Sequence, residues 1–262
     1  MAIEKQFCVA DYLLKRLKSL GVDHLFGIPG DFILPFFQKM DGSGVAHVAA
    51  CNELNAGYAA DGYARLKGLG AVAATYGPGA FSFVNAAAGA LAERVPVVFI
   101  SGGPETVSYK TQPILHHLLP NKYDASVKIF EQVTVHAKVL DDPATAPADI
   151  DKALAICLRE KKPVYLEIPR DVQLTPCAPP QPFVAEPAVS EQQALAAAVA
   201  EVAERIKNGA RTVILPGHEV HRSHLQDKIV ELVKRKGLPS GSMFIGKADF
   251  IGHMPECIGL YQ

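Results

Sequence analysis

No two cysteines in this chain stand at CxxC spacing, and none has a histidine at zinc-finger distance. Cys8, Cys51, Cys157, Cys177 and Cys257 are scattered and odd in number. That argues against a disulfide framework or a structural zinc site and fits a reducing, cytoplasmic compartment. Neither charge is in excess: 26 Lys plus Arg stand against 27 Asp plus Glu, a net −1. The basic footprint of a protein that binds nucleic acid or an anionic membrane is missing. The first residues hold no long apolar run, so no signal peptide is expected. Charge is also absent from residues 68–92, a stretch long enough to span a membrane. Gly77-Pro78-Gly79, Ser82 and Asn85 interrupt it, and we read a buried strand, a turn and a buried helix instead.

Apolar residues make up 49% of the 262 and charged residues 20%, the balance of a folded globular protein. Spacing predicts helices over 9–20, 32–40, 53–66, 81–92 and 150–159, with strands at 24–28, 45–51, 71–75, 95–100 and 163–169. Continuous apolar strands alternating with helices imply an α/β fold, a parallel sheet with helices on both faces. Pro176, Pro179, Pro180, Pro182 and Pro187 then form a stiff, extended stretch. We therefore expect one domain over 1–178, a linker over 179–189 and a second domain over 190–262. In the second, Ser190 is expected to cap a helix over 191–207, and strands at 212–215 and 238–245 flank a helix over 222–236. Two strands and two helices are too few for an independent sheet, so this domain is expected to be an incomplete, Rossmann-like one. The chain is then a fragment or one piece of a split protein.

In an open parallel sheet, ligands bind beyond the carboxyl ends of the strands. Pro29-Gly30-Asp31 follows the first strand and Cys51-Asn52-Glu53 the second. Gly77-Pro78-Gly79 follows the third, and Gly102-Gly103-Pro104 the fourth, leading to His116-His117. Glu53 is followed by Ala56, Gly57, Ala59 and Ala60, small residues that let a neighbouring surface approach. A carboxyl short of solvent can share a proton near neutrality; Glu53 is equally a favourable acid in a helix's first turn. Asp31 reads as a functional acid, as the N-cap of helix 32–40, or as both. The histidine pair reads as a proton relay or as a structural pair, and no third ligand at a supporting spacing makes it a metal site. Two motifs are rejected or kept only as weak alternatives. Gly241 to Lys247-Ala248 nearly matches a P-loop but lacks the hydroxyl that would hold Mg²⁺. Gly77-x-Gly79-x-x-Ser82 follows a strand as a dinucleotide fingerprint should, but has serine for its third glycine.

Phe26-Gly-Ile-Pro-Gly-Asp31, Asn52-Glu53 with Ala59-Ala-Asp-Gly-Tyr-Ala-Arg65, Thr75-Tyr-Gly-Pro-Gly79 and Leu115-His-His117 follow one another in this order. Together they resemble the N-terminal part of the thiamine diphosphate-dependent 2-oxo acid decarboxylases, the pyruvate, indolepyruvate and phenylpyruvate type. The resemblance covers almost the whole chain, with the family's pyrimidine-binding domain first and half of its central domain after it. It implies that Glu53 hydrogen-bonds the cofactor's aminopyrimidine ring. It implies that Asp31, His116 and His117 form the proton relay that orients the substrate carboxylate and assists aldehyde release. Pro29, Thr75 and Gly77 then contact the pyrimidine. The reaction implied is a 2-oxo acid giving an aldehyde and CO₂. The cofactors implied are thiamine diphosphate and Mg²⁺, in a homodimer or tetramer. The family's Mg²⁺-binding segment, Gly-Asp-Gly running on to Asn, does not occur in these residues, so no metal ligand is expected in this chain and the chain alone is expected to be inactive. Pro78 resembles the synthase branch of the superfamily, which keeps an acetolactate synthase-like carboligase as an alternative. A non-catalytic pyrimidine-domain module is the other.

Overall fold

A computed structural model describes residues 6–119, 122–183, 189–209, 211–246 and 249–261. Lys247 and Ala248 of the P-loop-like segment, residues 184–188 of the expected linker and the first five residues lie outside it. The chain divides into two units, Met1–Glu186 and Pro187–Gln262. Among the described residues no helix is long and apolar enough to cross a membrane.

The first unit holds six strands, β1 (His24–Gly27), β2 (Ala46–Ala49), β3 (Gly70–Ala74), β4 (Val97–Gly103), β5 (His136–Val139) and β6 (Val164–Pro169). They pair in the order β2-β1-β3-β4-β6-β5, every pairing parallel. Alternate side chains of the buried strands feed two cores. Ala71, Ala73, Val98, Ile100, Leu166 and Ile168 meet Val9, Leu13 and Leu17 of α1 (Val9–Ser19), Phe36 of α2 (Leu34–Gln38) and the residues of α8 named below. On the other face Val72, Ala74, Val97, Phe99 and Tyr165 meet Ala56, Ala60 and Ala64 of α3 (Glu53–Lys67). This is the expected α/β sheet covered on both sides.

The uncharged stretch lies within the fold as β3, then α4 (Pro78–Ser82), where a turn was expected, then α5 (Val84–Ala92). The single expected helix over 81–92 is thus two, meeting at Phe83 and beginning earlier, because Pro78 sits in α4's first turn. Helix 32–40 shrinks to α2 for a similar reason: Pro35 lies in its first turn and Ile33 is its cap residue. Elements not expected from the sequence include α6 (Thr106–Thr111), α7 (Ala125–Val133) and β5. The last of the first unit's helices are α8 (Ala146–Glu160), whose Ile150 and Leu154 face the first core, and α9 (Arg170–Gln173).

The second unit contains α10 (Gln192–Asn208), α11 (Glu219–Arg222), α12 (Gln226–Lys236) and α13 (Asp249–Gly252). A parallel pair, β7 (Ser240–Met243) and β8 (Cys257–Tyr261), completes it. Three expectations are corrected here. Glu191, not Ser190, caps α10, because its carboxylate reaches the amides of both Gln193 and Ala194. The helix over 222–236 is broken between α11 and α12, where His224 takes a positive φ of 53°. Strand 212–215 reduces to one bridge from Ile214 to Ser240. Pro216, two residues on, has no N–H to extend that ladder.

Candidate active site

The chain runs from β1 outward to β2, then returns to place β3 on β1's other side. That reversal opens a crevice between the carboxyl ends of β1 and β3, where ligands of open α/β sheets bind. Pro29, Gly30 and Asp31 leave β1 there, and Thr75 to Gly79 leave β3. Glu53 comes to the same edge as the first residue of α3. That helix starts there because the Asn52 side chain accepts from the Asn55 amide at 2.8 Å.

These segments approach more closely than larger residues permit. A Cβ on Gly30 would fall 2.8 Å from the Thr75 Cβ. One on Gly79 would lie 3.0 Å from Thr75 Cγ2 and 3.5 Å from Glu53 Oε1, so Gly79, Thr75 and Glu53 share one corner. Glu53 is half-buried. Thr75 Oγ1 is buried and, among the described residues, has no hydrogen-bond partner. A buried hydroxyl left unpaired costs free energy, so this one is a hydrogen-bonding group still to be satisfied at the sheet edge.

The histidine pair reaches the same edge from the loop after α6. His116 Nε2 lies 2.9 Å from Asp31 Oδ2. A carboxylate only accepts, so in that pair Nε2 carries the ring proton. Asp31 does not cap a helix: its Oδ1 accepts from the Phe32 amide at 3.1 Å, and α2 begins three residues later. His117 has a φ of 63°, in the left-handed region that few residues other than glycine occupy. Gly77, with a φ of 64°, fits beneath it, and a Cβ there would fall 2.2 Å from the His117 carbonyl oxygen. The Tyr76 hydroxyl donates to the His116 carbonyl oxygen. Phe32 packs on Tyr76 at 4.6 Å and on His116 at 5.6 Å between ring centroids. His117, Leu118 and Leu119 then line an open groove with Pro78, Phe81 and Ser82 of α4. All seven residues singled out in the sequence (Pro29, Asp31, Glu53, Thr75, Gly77, His116 and His117) therefore belong to the segments that meet at this edge.

Sequence reasoning missed the groups that hold these segments. Gln173, fully buried on α9, donates to the Phe32 and Ile168 carbonyl oxygens at 2.7 and 3.0 Å and accepts from the Phe36 amide. Glu167 on β6 is also buried, and its carboxylate accepts from Tyr109 of α6 at 2.5 Å and from Tyr165 at 2.9 Å. Burial pushes its pKa up to about 7 against the opposing pull of those hydrogen bonds. The only signal for either residue was a polar side chain beside an apolar strand. Among the described residues no three His, Cys, Asp or Glu side chains gather as metal ligands would.

Comparison with known proteins adds a family to this geometry. Residues 7–126 match the thiamine pyrophosphate enzyme N-terminal TPP binding domain. The chain is 38% identical over 258 residues to a pyruvate decarboxylase of Aspergillus parasiticus, covering 96% of this chain and 44% of that protein. It is 40% identical over 255 residues to an indole-3-pyruvate decarboxylase of Azospirillum brasilense, covering 97% of this chain and 46% of that one. Pyruvate decarboxylase 2 of Oryza sativa subsp. japonica is 38% identical over 257 residues. The chain spans less than half the length of these curated relatives.

Proposed function

We propose that this chain, whose residues 7–126 match the N-terminal TPP binding domain of thiamine pyrophosphate enzymes and which is similar along nearly all its length to the N-terminal part of pyruvate-type decarboxylases, supplies the pyrimidine-binding side of a site that decarboxylates a 2-oxo acid. The observation that carries the reading is the corner shared by Glu53, the unpartnered Thr75 hydroxyl and the Gly77–Gly79 turn, with the Asp31–His116 pair on the same sheet edge. A flat heteroaromatic ring with polar atoms on its rim fits such a corner. The glycines let the segments that line the corner close on one another, and Thr75 and Glu53 offer hydrogen bonds to the ring's edge.

Bound there, thiamine diphosphate would supply the carbon nucleophile and the electron sink that this reaction needs. Glu53 holds or shares a proton at the ring's edge, and Pro29, Thr75 and Gly77 fix the ring's orientation. Asp31 keeps His116 in the tautomer with its proton on Nε2, which leaves Nδ1 of the neutral ring to accept one. His116, His117 and Asp31 orient the substrate carboxylate and deliver the proton that the aldehyde product gains. Mg²⁺ and the diphosphate would be held by residues outside these 262, and a second subunit would bring them to this edge. A homodimer is then the smallest active unit.

The test is Glu53→Gln in the assembled holoenzyme. We expect kcat/KM for a 2-oxo acid to fall by more than tenfold, about 1.4 kcal/mol of barrier. Decarboxylation surviving within tenfold would remove Glu53 from the role assigned to it.

A further inference from the structure

The segment that carries His116 and His117 has little regular structure of its own. It leaves α6 at Gln112, in a left-handed conformation with a φ of 50°, and turns again at His117. Its order comes from neighbours, and a line of them leads back to the sheet. Tyr76 holds the His116 carbonyl and Tyr123 holds the Pro113 carbonyl, each through its hydroxyl. The Tyr123 ring packs edge-on against Tyr109 of α6 at 6.0 Å between centroids. The Tyr109 hydroxyl in turn donates to Glu167 beneath it.

The space for that last contact is built into the strands. A Cβ on Gly103, the final residue of β4, would fall 2.6 Å from the Tyr109 hydroxyl oxygen and 3.1 Å from Glu167 Cγ. On its other side the Glu167 carboxylate is met by Tyr165, whose hydroxyl shares a hydrogen bond of 2.6 Å with Ser101 of β4. No ion pair holds Glu167 among the described residues. A buried carboxyl without a cationic partner is costly in a fold, and hydrophobic packing alone does not call for one here. A second tie fixes α6 at its other end: the Asp171 carboxylate of α9 accepts from the Thr106 amide at 3.0 Å and from its hydroxyl at 2.6 Å.

We propose that Glu167 is a positioning residue for the histidine pair, holding α6 through Tyr109 and, through the Tyr109–Tyr123 contact, the Pro113–His117 segment at the sheet edge. It touches neither substrate nor cofactor. The inference rests on the reading of His116 and His117 as proton-transfer groups, but its structural half stands apart from that reading.

The experiment uses Tyr109→Phe, Glu167→Leu and Glu167→Gln. Tyr109→Phe keeps the ring on Tyr123 and removes only the hydroxyl. Glu167→Gln keeps an acceptor for Tyr109 and gains an N–H that Tyr165 can accept. The first readout is hydrogen exchange of this chain, followed by mass spectrometry of peptides covering 104–119 and, for comparison, 70–76 and 97–103. We expect exchange at 112–119 to quicken at least fivefold in Tyr109→Phe and Glu167→Leu, to return close to wild type in Glu167→Gln, and to stay unchanged in β3 and β4. The second readout is the holoenzyme with a 2-oxo acid. Here kcat should fall fivefold or more in the first two variants, with KM within twofold, and recover in Glu167→Gln. If Glu167→Leu does not fold, Tyr109→Phe alone decides. Unchanged exchange at 112–119 in Tyr109→Phe overturns the proposal whatever the kinetics. Quickened exchange in a wild type that decarboxylates no 2-oxo acid upholds the anchor and overturns the functional reading. Quickened exchange with kcat unchanged in an active enzyme leaves Glu167 structural and overturns its positioning role.

Discussion

Gly77 shows how one residue can decide where the histidine segment sits. Its φ of 64° and ψ of −126° lie where side chains are disfavoured, and the His117 carbonyl occupies the place a Cβ would need. Gly77→Ala should lower stability by about 1–3 kcal/mol from backbone strain alone. It should also push the His117 backbone away from β3. Denaturant unfolding of the chain measures the first effect, and an unchanged midpoint would contradict it. The position was legible in the sequence because Gly-Pro-Gly directly after an apolar strand marks a sharp turn at the sheet's carboxyl edge. Glu53 and Asp31 were legible for the same reason, each following a strand, whereas the histidines, which come after α6, stood out as an adjacent pair. Gln173, Glu167 and Tyr109 were not. Their partners lie far off in the chain, Phe32 being 141 residues from Gln173 and Tyr109 being 58 from Glu167. No local pattern records such a pairing.

At the scale of elements, α3 links local chemistry to the site. Its N-terminus is fixed by Asn52, and its small residues Ala56, Ala60 and Ala64 let it lie close on the sheet. Asn52→Ala should cost about 1 kcal/mol. In a unit of this size that is a fall of roughly 2–4 °C in Tm, with Asn52→Asp escaping most of that loss because it can cap as well. Thermal unfolding of both variants checks this, and equal losses in the two would remove the cap as the cause. Long, strongly periodic elements such as α1 and α3, and the continuous apolar strands β3, β4 and β6, were read with nearly correct bounds. The failures share a cause. Short elements are made by their neighbours: β5, with only four residues and two of them polar, exists because β6 offers it a full ladder. In the second unit the expected strand 212–215 found one bridging partner, Ser240, and formed no ladder.

The whole molecule feels Glu167 through pH. In the unfolded chain its carboxyl loses a proton near the ordinary value of 4.5, while burial keeps the folded group protonated up to about 7. Between those values the folded state binds more protons, so stability falls as pH rises. Fully expressed, the shift is on the order of 3 kcal/mol. Other groups act with opposite sign. Lys18 and Lys128 hold the carboxyls of Asp23 and Asp124 below the usual range, so their contributions vanish as pH drops through those lowered values. Burial holds the His136 imidazole neutral to lower pH than usual, which favours the folded state as pH rises from that lowered value toward 6.5. A single wild-type profile mixes these terms, whereas the difference between wild type and Glu167→Gln isolates one of them. From pH 5 to pH 7.5, chemical unfolding should show the wild type losing about 2 kcal/mol more than Glu167→Gln. Two parallel profiles would mean that the buried carboxyl does not change its proton in this range. A steeper fall in the variant would reverse the sign of its linkage. The same carboxyl that steadies the histidine segment therefore gives up stability as pH rises toward neutrality, where it begins to ionise while still buried beneath Tyr109.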